Sequence, residues 1–127
     1  NSITGISPGD AQGYYSIRKY SVAPGTYIRV IGYGADRDEG HQERNYAQQT
    51  SYSRINEVEP SFITYQADTW GGSSGSPVLD LNDQIIGIHT HGDCDESGGR
   101  NSGTLIYRSP ELMRAIYQCL SWEYNNL

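Results

Sequence analysis

Residues 69–78 read TWGGSSGSPV, and the fold turns on whether this is a flexible Gly/Ser turn or a backbone shaped around one serine. Glycines ahead of a serine let the chain turn so that backbone N–H groups converge on one point, with no side chain in the way. A nucleophilic serine needs that arrangement, an accessible hydroxyl and a base to take its proton. In GGSSG the serine so placed is Ser74, with an oxyanion hole drawn from Gly72, Ser73 and Ser74. The hydrolase elbow GxSxG does not fit. Gly72 and Ser74 match it, but residue 76 is serine, and Pro77 begins a strand instead of a helix.

Outward from this stretch the pattern is β. PVLD leads through a turn at LND into QIIGIHT, a β-branched strand. Upstream, TYIRVIGYG alternates Tyr27, Arg29 and Ile31 against Ile28 and Val30, and SYSRINEVE and SFITYQAD read as two more strands around Pro60. GYYSIRKYSV alternates loosely and reads as extended, and the first twelve residues as an irregular entry. GTLIYR follows the polar loop HGDCDESGGRNS as the last strand. The period then changes. Ser109 suits a cap, Pro110 and Glu111 a helix start, and Leu112, Ile116 and Leu120 share a face. About six strands at short spacing and one C-terminal helix predict an all-β domain, a six-stranded antiparallel barrel, over residues 1–127.

Composition sets limits on function. Of 127 residues, 15 are glycine and 11 tyrosine, which suits turns and strands. A net charge of −6 speaks against nucleic acid and against anionic membrane surfaces as partners. No apolar run is long enough for a transmembrane helix, and NSITGISPGD has neither the basic start nor the apolar core of a signal peptide. Cys94 and Cys119, an even pair in such a chain, fit one disulfide in an exported protein, secreted or periplasmic; two buried thiols are the alternative. His89, His91 and Cys94 lack a well-placed fourth ligand for zinc. ADRDEGHQER reads as a solvated loop holding His41, with calcium at Asp36, Asp38 and Glu39 as the lesser reading. No cofactor is expected. Trp70 and Trp122 read as packing residues.

DTWGGSSGSPV, then IIGIHTHG, then Asn101 to Thr104 (NSGT) together resemble the C-terminal barrel of chymotrypsin-fold serine proteases, closest to the V8-like glutamyl endopeptidases. That branch reads DTxGGxSGSPV at its nucleophile, a His-Thr pair at the end of the next strand and Asn-x-Gly-Thr at the entry to the following one. The resemblance covers roughly residues 25–120 and includes the terminal helix. It implies Ser74 as nucleophile, the Gly72 and Ser74 amides as oxyanion hole, and Thr69 and His89 in the pocket for the residue before the cut. Asp68, Trp70, Gly71, Thr90 and His91 would complete the pocket walls and rim. A glutamate carboxylate entering a pocket loses its water and needs donors in return, which a threonine hydroxyl and an imidazole supply, with charge if the imidazole is protonated.

Two departures bear on specificity and activation. Asp68 stands where trypsin-like relatives keep the acid that binds Arg or Lys, so basic specificity is the alternative to acidic. Ser73 replaces the aspartate that pairs with a new N-terminal amine in the trypsin branch, so activation by that ion pair is not expected.

The family's general base and its orienting aspartate come from a first barrel. Two barrels take on the order of 200 residues, more than this chain has. None of its three histidines suits the base: His89 and His91 belong to the pocket strand and His41 to a loop. The expectation is a two-chain protease in which an N-terminal barrel on a separate chain supplies histidine and aspartate, with a peptide or protein as substrate. An inactive fragment and a non-catalytic protease homologue that binds proteins are the alternatives.

Overall fold

The computed structural model describes residues 5–6, 8–35, 40, 42–92 and 99–126. Its elements are helix α1 (Pro8–Gln12) and strands β1 (Ser16–Ile17), β2 (Tyr27–Gly32), β3 (Gln49–Val58), β4 (Phe62–Tyr65), β5 (Pro77–Asp80), β6 (Gln84–His91) and β7 (Asn101–Leu105), followed by helix α2 (Pro110–Asn126). Strands β2 to β7 pair in the order β2-β3-β4-β7-β6-β5, and β5 pairs back to β2. Every pair in this ring is antiparallel. The result is a closed six-stranded barrel with no open edge in its ring.

The barrel closes around one face of each strand. Ile28 and Val30 of β2, Ile55 of β3, Ile63 and Tyr65 of β4, Val78 of β5, Ile86 of β6 and Leu105 of β7 form a single buried cluster with Val22 and Ala67. The alternation read in TYIRVIGYG appears as burial of Ile28 and Val30 against an exposed Tyr27 and a half-buried Arg29.

The N-terminal segment is more structured than the sequence shows. Within GYYSIRKYSV, read as extended, Ser16 and Ile17 form β1 and pair parallel with Gln84 and Ile85 of β6. Ile85 also pairs with Leu79 of β5, so β1 lies on the β7 side of β6, beyond the end of β7. The segment is held there by Arg18, which forms an ion pair at 2.8 Å with the buried Asp80. The entry is not wholly irregular either. It contains α1, which begins at a proline and ends where the Gly13 amide donates to the Gly9 carbonyl at 2.8 Å, with Gly13 at φ 79°.

Helix α2 begins at Pro110 as expected, and the Met113 amide donates to the Ser109 carbonyl at 2.9 Å in its first turn. None of its described side chains is buried; Leu112 and Ile116 are half-buried and Leu120 is exposed. Among the described residues no helix is long and apolar enough to cross a membrane.

Candidate active site

The glycine crowding in TWGGSSGSPV resolves into two tandem turns. The Ser73 amide donates to the Trp70 carbonyl at 3.0 Å, and the Ser76 amide to the Ser73 carbonyl at 3.1 Å. Each turn has its left-handed residue in third position, Gly72 at φ 98° and Gly75 at φ 90°. That is the position where a type II turn excludes most side chains. Pro77 then starts β5, where a missing N–H is tolerated.

Between the two glycines, Ser74 is exposed and Ser73 is buried. The Ser73 amide is committed to the first turn, so it leaves the expected oxyanion set and acts instead as the loop's anchor. The Gly72 and Ser74 amides have no protein acceptor among the described residues. Two N–H groups flanking an accessible hydroxyl are what stabilisation of a tetrahedral oxyanion requires.

The loop is tied to the next strand at two points. The Gly75 amide donates to the His89 carbonyl at 2.8 Å, and the His89 amide to the Ser76 carbonyl at 2.9 Å. Beyond His89 the β6–β7 register shifts, because His89 pairs with Gly103 but His91 with Ser102. Thr90 is the extra residue of this bulge, a device that re-aims side chains beside a site. Its carbonyl accepts from the Ser74 hydroxyl at a long 3.4 Å, and its own hydroxyl donates to the Ser102 carbonyl at 3.3 Å. His91, at the end of β6, is exposed at the rim.

His89 is 2% exposed. Its Nδ1 lies 2.6 Å from the Tyr65 hydroxyl, and the two rings are tilted at 45°. Burial, then the nearby charge of His91 when protonated, pull the His89 pKa below the ordinary imidazole value. The ring is therefore neutral at pH 7, and it offers an N–H without the charge that a protonated imidazole would add.

Thr69 is held from β7. The buried Asn101 donates from Nδ2 to the Thr69 hydroxyl at 2.8 Å and to the Ala67 carbonyl at 2.5 Å. Asp68 is exposed. With Thr69, Trp70 and Ser73 it borders a cavity of about 120 Å³ between the loop and the β2–β3 ends. Neither Ser74 nor His89 lines that cavity, so Asp68 and His89 do not share a wall of it. Gly34 belongs to the same wall because a Cβ there would stand 3.0 Å from Trp70 Cβ and 3.1 Å from Ser73 Oγ. Trp70 itself is 46% exposed, which corrects its reading as a packing residue. Gly71 is exposed, and its carbonyl accepts from the Ala35 amide at 2.7 Å.

The remaining candidates stand apart. Cys119 is a free, exposed thiol on α2; its expected partner Cys94 lies outside the described residues. So do Asp36, Asp38, Glu39 and His41, and the side chain of Trp122. The described residues hold no cluster of three or more metal-ligating side chains. None of their imidazoles is hydrogen-bonded to Ser74. Two residues of the site escape a reading of the motif alone, Tyr65 and the side-chain role of Asn101. The signal for Tyr65 was its inward register with Ile63 and Ala67, since a buried phenol requires a hydrogen-bond partner.

Comparison with known proteins gives a consistent picture. The family model of the trypsin-like peptidase domain matches residues 6–88. A solved Glu endopeptidase, in complex with MPD, is 29% identical with a TM-score of 0.71, over 87% of this chain and 49% of that one. An inactive form of Rv3671c from M. tuberculosis is 16% identical with a TM-score of 0.64, over 87% and 57%. A scabies mite inactivated protease paralogue is 12% identical with a TM-score of 0.68, over 88% and 55%. The last two share the fold alone. The chain spans about half the length of these solved structures.

Proposed function

The chain belongs to the trypsin-like peptidase domain family, and on that premise we propose that it is the nucleophile-bearing barrel of a serine endopeptidase that cuts after glutamate or aspartate. The observation that carries this reading is Ser74. It is exposed on a loop whose two flanking amides, those of Gly72 and Ser74 itself, have no acceptor among the described residues. The hydroxyl attacks the scissile carbonyl, a base removes its proton, and the amides receive the oxyanion.

Acid selectivity rests on the pocket strand. A neutral imidazole at His89 and a hydroxyl at Thr69 are hydrogen-bond donors suited to a carboxylate that has shed its water. Similarity to a Glu endopeptidase supports the same choice.

The base and its orienting acid come, in this proposal, from an N-terminal barrel carried on a separate chain. The described imidazoles leave Ser74 without a base. The exposed face of α2, with Tyr117 and Leu120, is compatible with such a partner. A non-catalytic, protein-binding homologue is the second reading, favoured by that same lack of an imidazole at Ser74.

Fluorophosphonate labelling separates the two. The proposal expects Ser74 to stay unlabelled in this chain alone and to label once the N-terminal barrel is added. An unreactive complete assembly supports the binding protein instead.

A further inference from the structure

We propose that Tyr65 is the positioning residue that fixes the ring of His89 in the Nε2–H tautomer, so that the pocket presents a neutral N–H donor to the substrate. The inference rests on the proposed role of His89 in specificity and concerns how that role is enforced.

Tyr65 comes from β4 and His89 from β6, and both are buried, at 0% and 2% exposure. The Tyr65 hydroxyl has one hydrogen-bond partner among the described residues, His89 Nδ1 at 2.6 Å. A phenol has one proton to donate, and in a buried site it needs an acceptor for it. If Nδ1 carried the proton and donated to the oxygen, the phenolic O–H would be left in the barrel without an acceptor, the costly arrangement for a buried polar group. The satisfied arrangement has Tyr65 donating and Nδ1 accepting. The remaining ring proton is then on Nε2, which has no partner among the described residues.

Two further features keep the phenol a donor. Burial raises the Tyr65 pKa above its ordinary value, so the proton is retained across the working pH range. Space for the hydroxyl is provided by β7. A Cβ on Gly103 would lie 3.1 Å from it, and Gly103 is the register partner of His89. Among the described residues, the titratable neighbours of His89 are Tyr65 from β4 and His91 on β6, and β7 places the uncharged Gly103 opposite it.

The test is a two-bond proton–nitrogen correlation spectrum of the chain labelled with ¹⁵N in its histidine rings. His89 is assigned by the signal lost in His89→Gln. The expected result at neutral pH is an unprotonated, hydrogen-bonded Nδ1 and a protonated Nε2. A proton on Nδ1 in the wild-type chain overturns the proposal, and this reading needs no substitution to fold. Tyr65→Phe keeps the ring and removes the donor. It is expected to shift the Nδ1 resonance and to lower kcat/KM on glutamyl peptides about tenfold in the complete enzyme. Unchanged ring-nitrogen shifts in Tyr65→Phe also overturn it. If mapping shows cuts after arginine while His89 holds the Nε2–H tautomer, the specificity reading fails and the role of Tyr65 stands.

Discussion

Asn101 on β7 reaches across the barrel end to Thr69, donating to its hydroxyl at 2.8 Å while also donating to the Ala67 carbonyl at 2.5 Å. One buried amide thus fixes both the last inward residue after β4 and the hydroxyl proposed to meet substrate. Replacing it with alanine leaves the Ala67 carbonyl without that donor in a buried site, a loss of about 1–3 kcal/mol. Urea unfolding of Asn101→Ala should show a lowered midpoint. Asn101→Asp, which turns a donor into an acceptor opposite a carbonyl, should be at least as unstable.

The Arg18–Asp80 pair sets a larger cost. Asp80 is 2% exposed, and its Oδ1 also accepts the Asn82 and Gln84 amides at 2.8 and 3.0 Å in the β5–β6 turn. Asp80→Ala strips a half-buried guanidinium of its partner and two amides of their acceptor. A loss of about 3–5 kcal/mol is expected. Thermal unfolding checks it, and Arg18→Met, which removes the cation and keeps the apolar stem, should cost less than Asp80→Ala.

His89 makes stability depend on pH in a defined direction. Its pKa is lowered in the folded chain, by burial first and by His91 second, so the unfolded state binds the proton more readily. Stability from this group is complete above the ordinary imidazole pKa, about 6.5. It is lost as pH falls from there through the folded value. Unfolding midpoints measured from pH 7.5 downward should fall more steeply for wild type than for His89→Gln in that window. Equal slopes would show that His89 does not titrate differently on folding.

At the nucleophile loop, Gly72 holds φ 98° and contributes an amide with no acceptor among the described residues. Gly72→Ala strains the turn by on the order of 1–3 kcal/mol. If its amide is the proposed oxyanion donor, displacing it should lower hydrolysis by about 10²–10³ in the proposed complete enzyme. Steady-state kinetics on a variant shown to be folded by circular dichroism checks this.

The barrel was legible because its strands carry short, clean alternation. Ile28 and Val30, or Ile63 and Tyr65, point inward at a period of two, and any closed β domain must bury such a face. The Gly/Ser stretch was legible for a similar reason, since φ near 90° at two spaced positions leaves few residues other than glycine. GYYSIRKYSV reads only as extended, because its loose alternation does not encode a partner edge, and β6 pairs with two of its residues. Helix α1 was missed because five residues are too few to show a helical period. Long-range contacts set the rest. The Tyr65–His89 and Asn101–Thr69 bonds join residues 24 and 32 apart in sequence, and no local pattern encodes which hydroxyl meets which ring.

Mapping the bonds cut in a peptide mixture by this chain assembled with the proposed N-terminal barrel tests the central claim most directly. The account predicts cleavage after glutamate, with aspartate next, abolished in Ser74→Ala and sharply reduced in His89→Leu. Cleavage after arginine or lysine that is lost in Asp68→Asn and untouched in His89→Leu would contradict it.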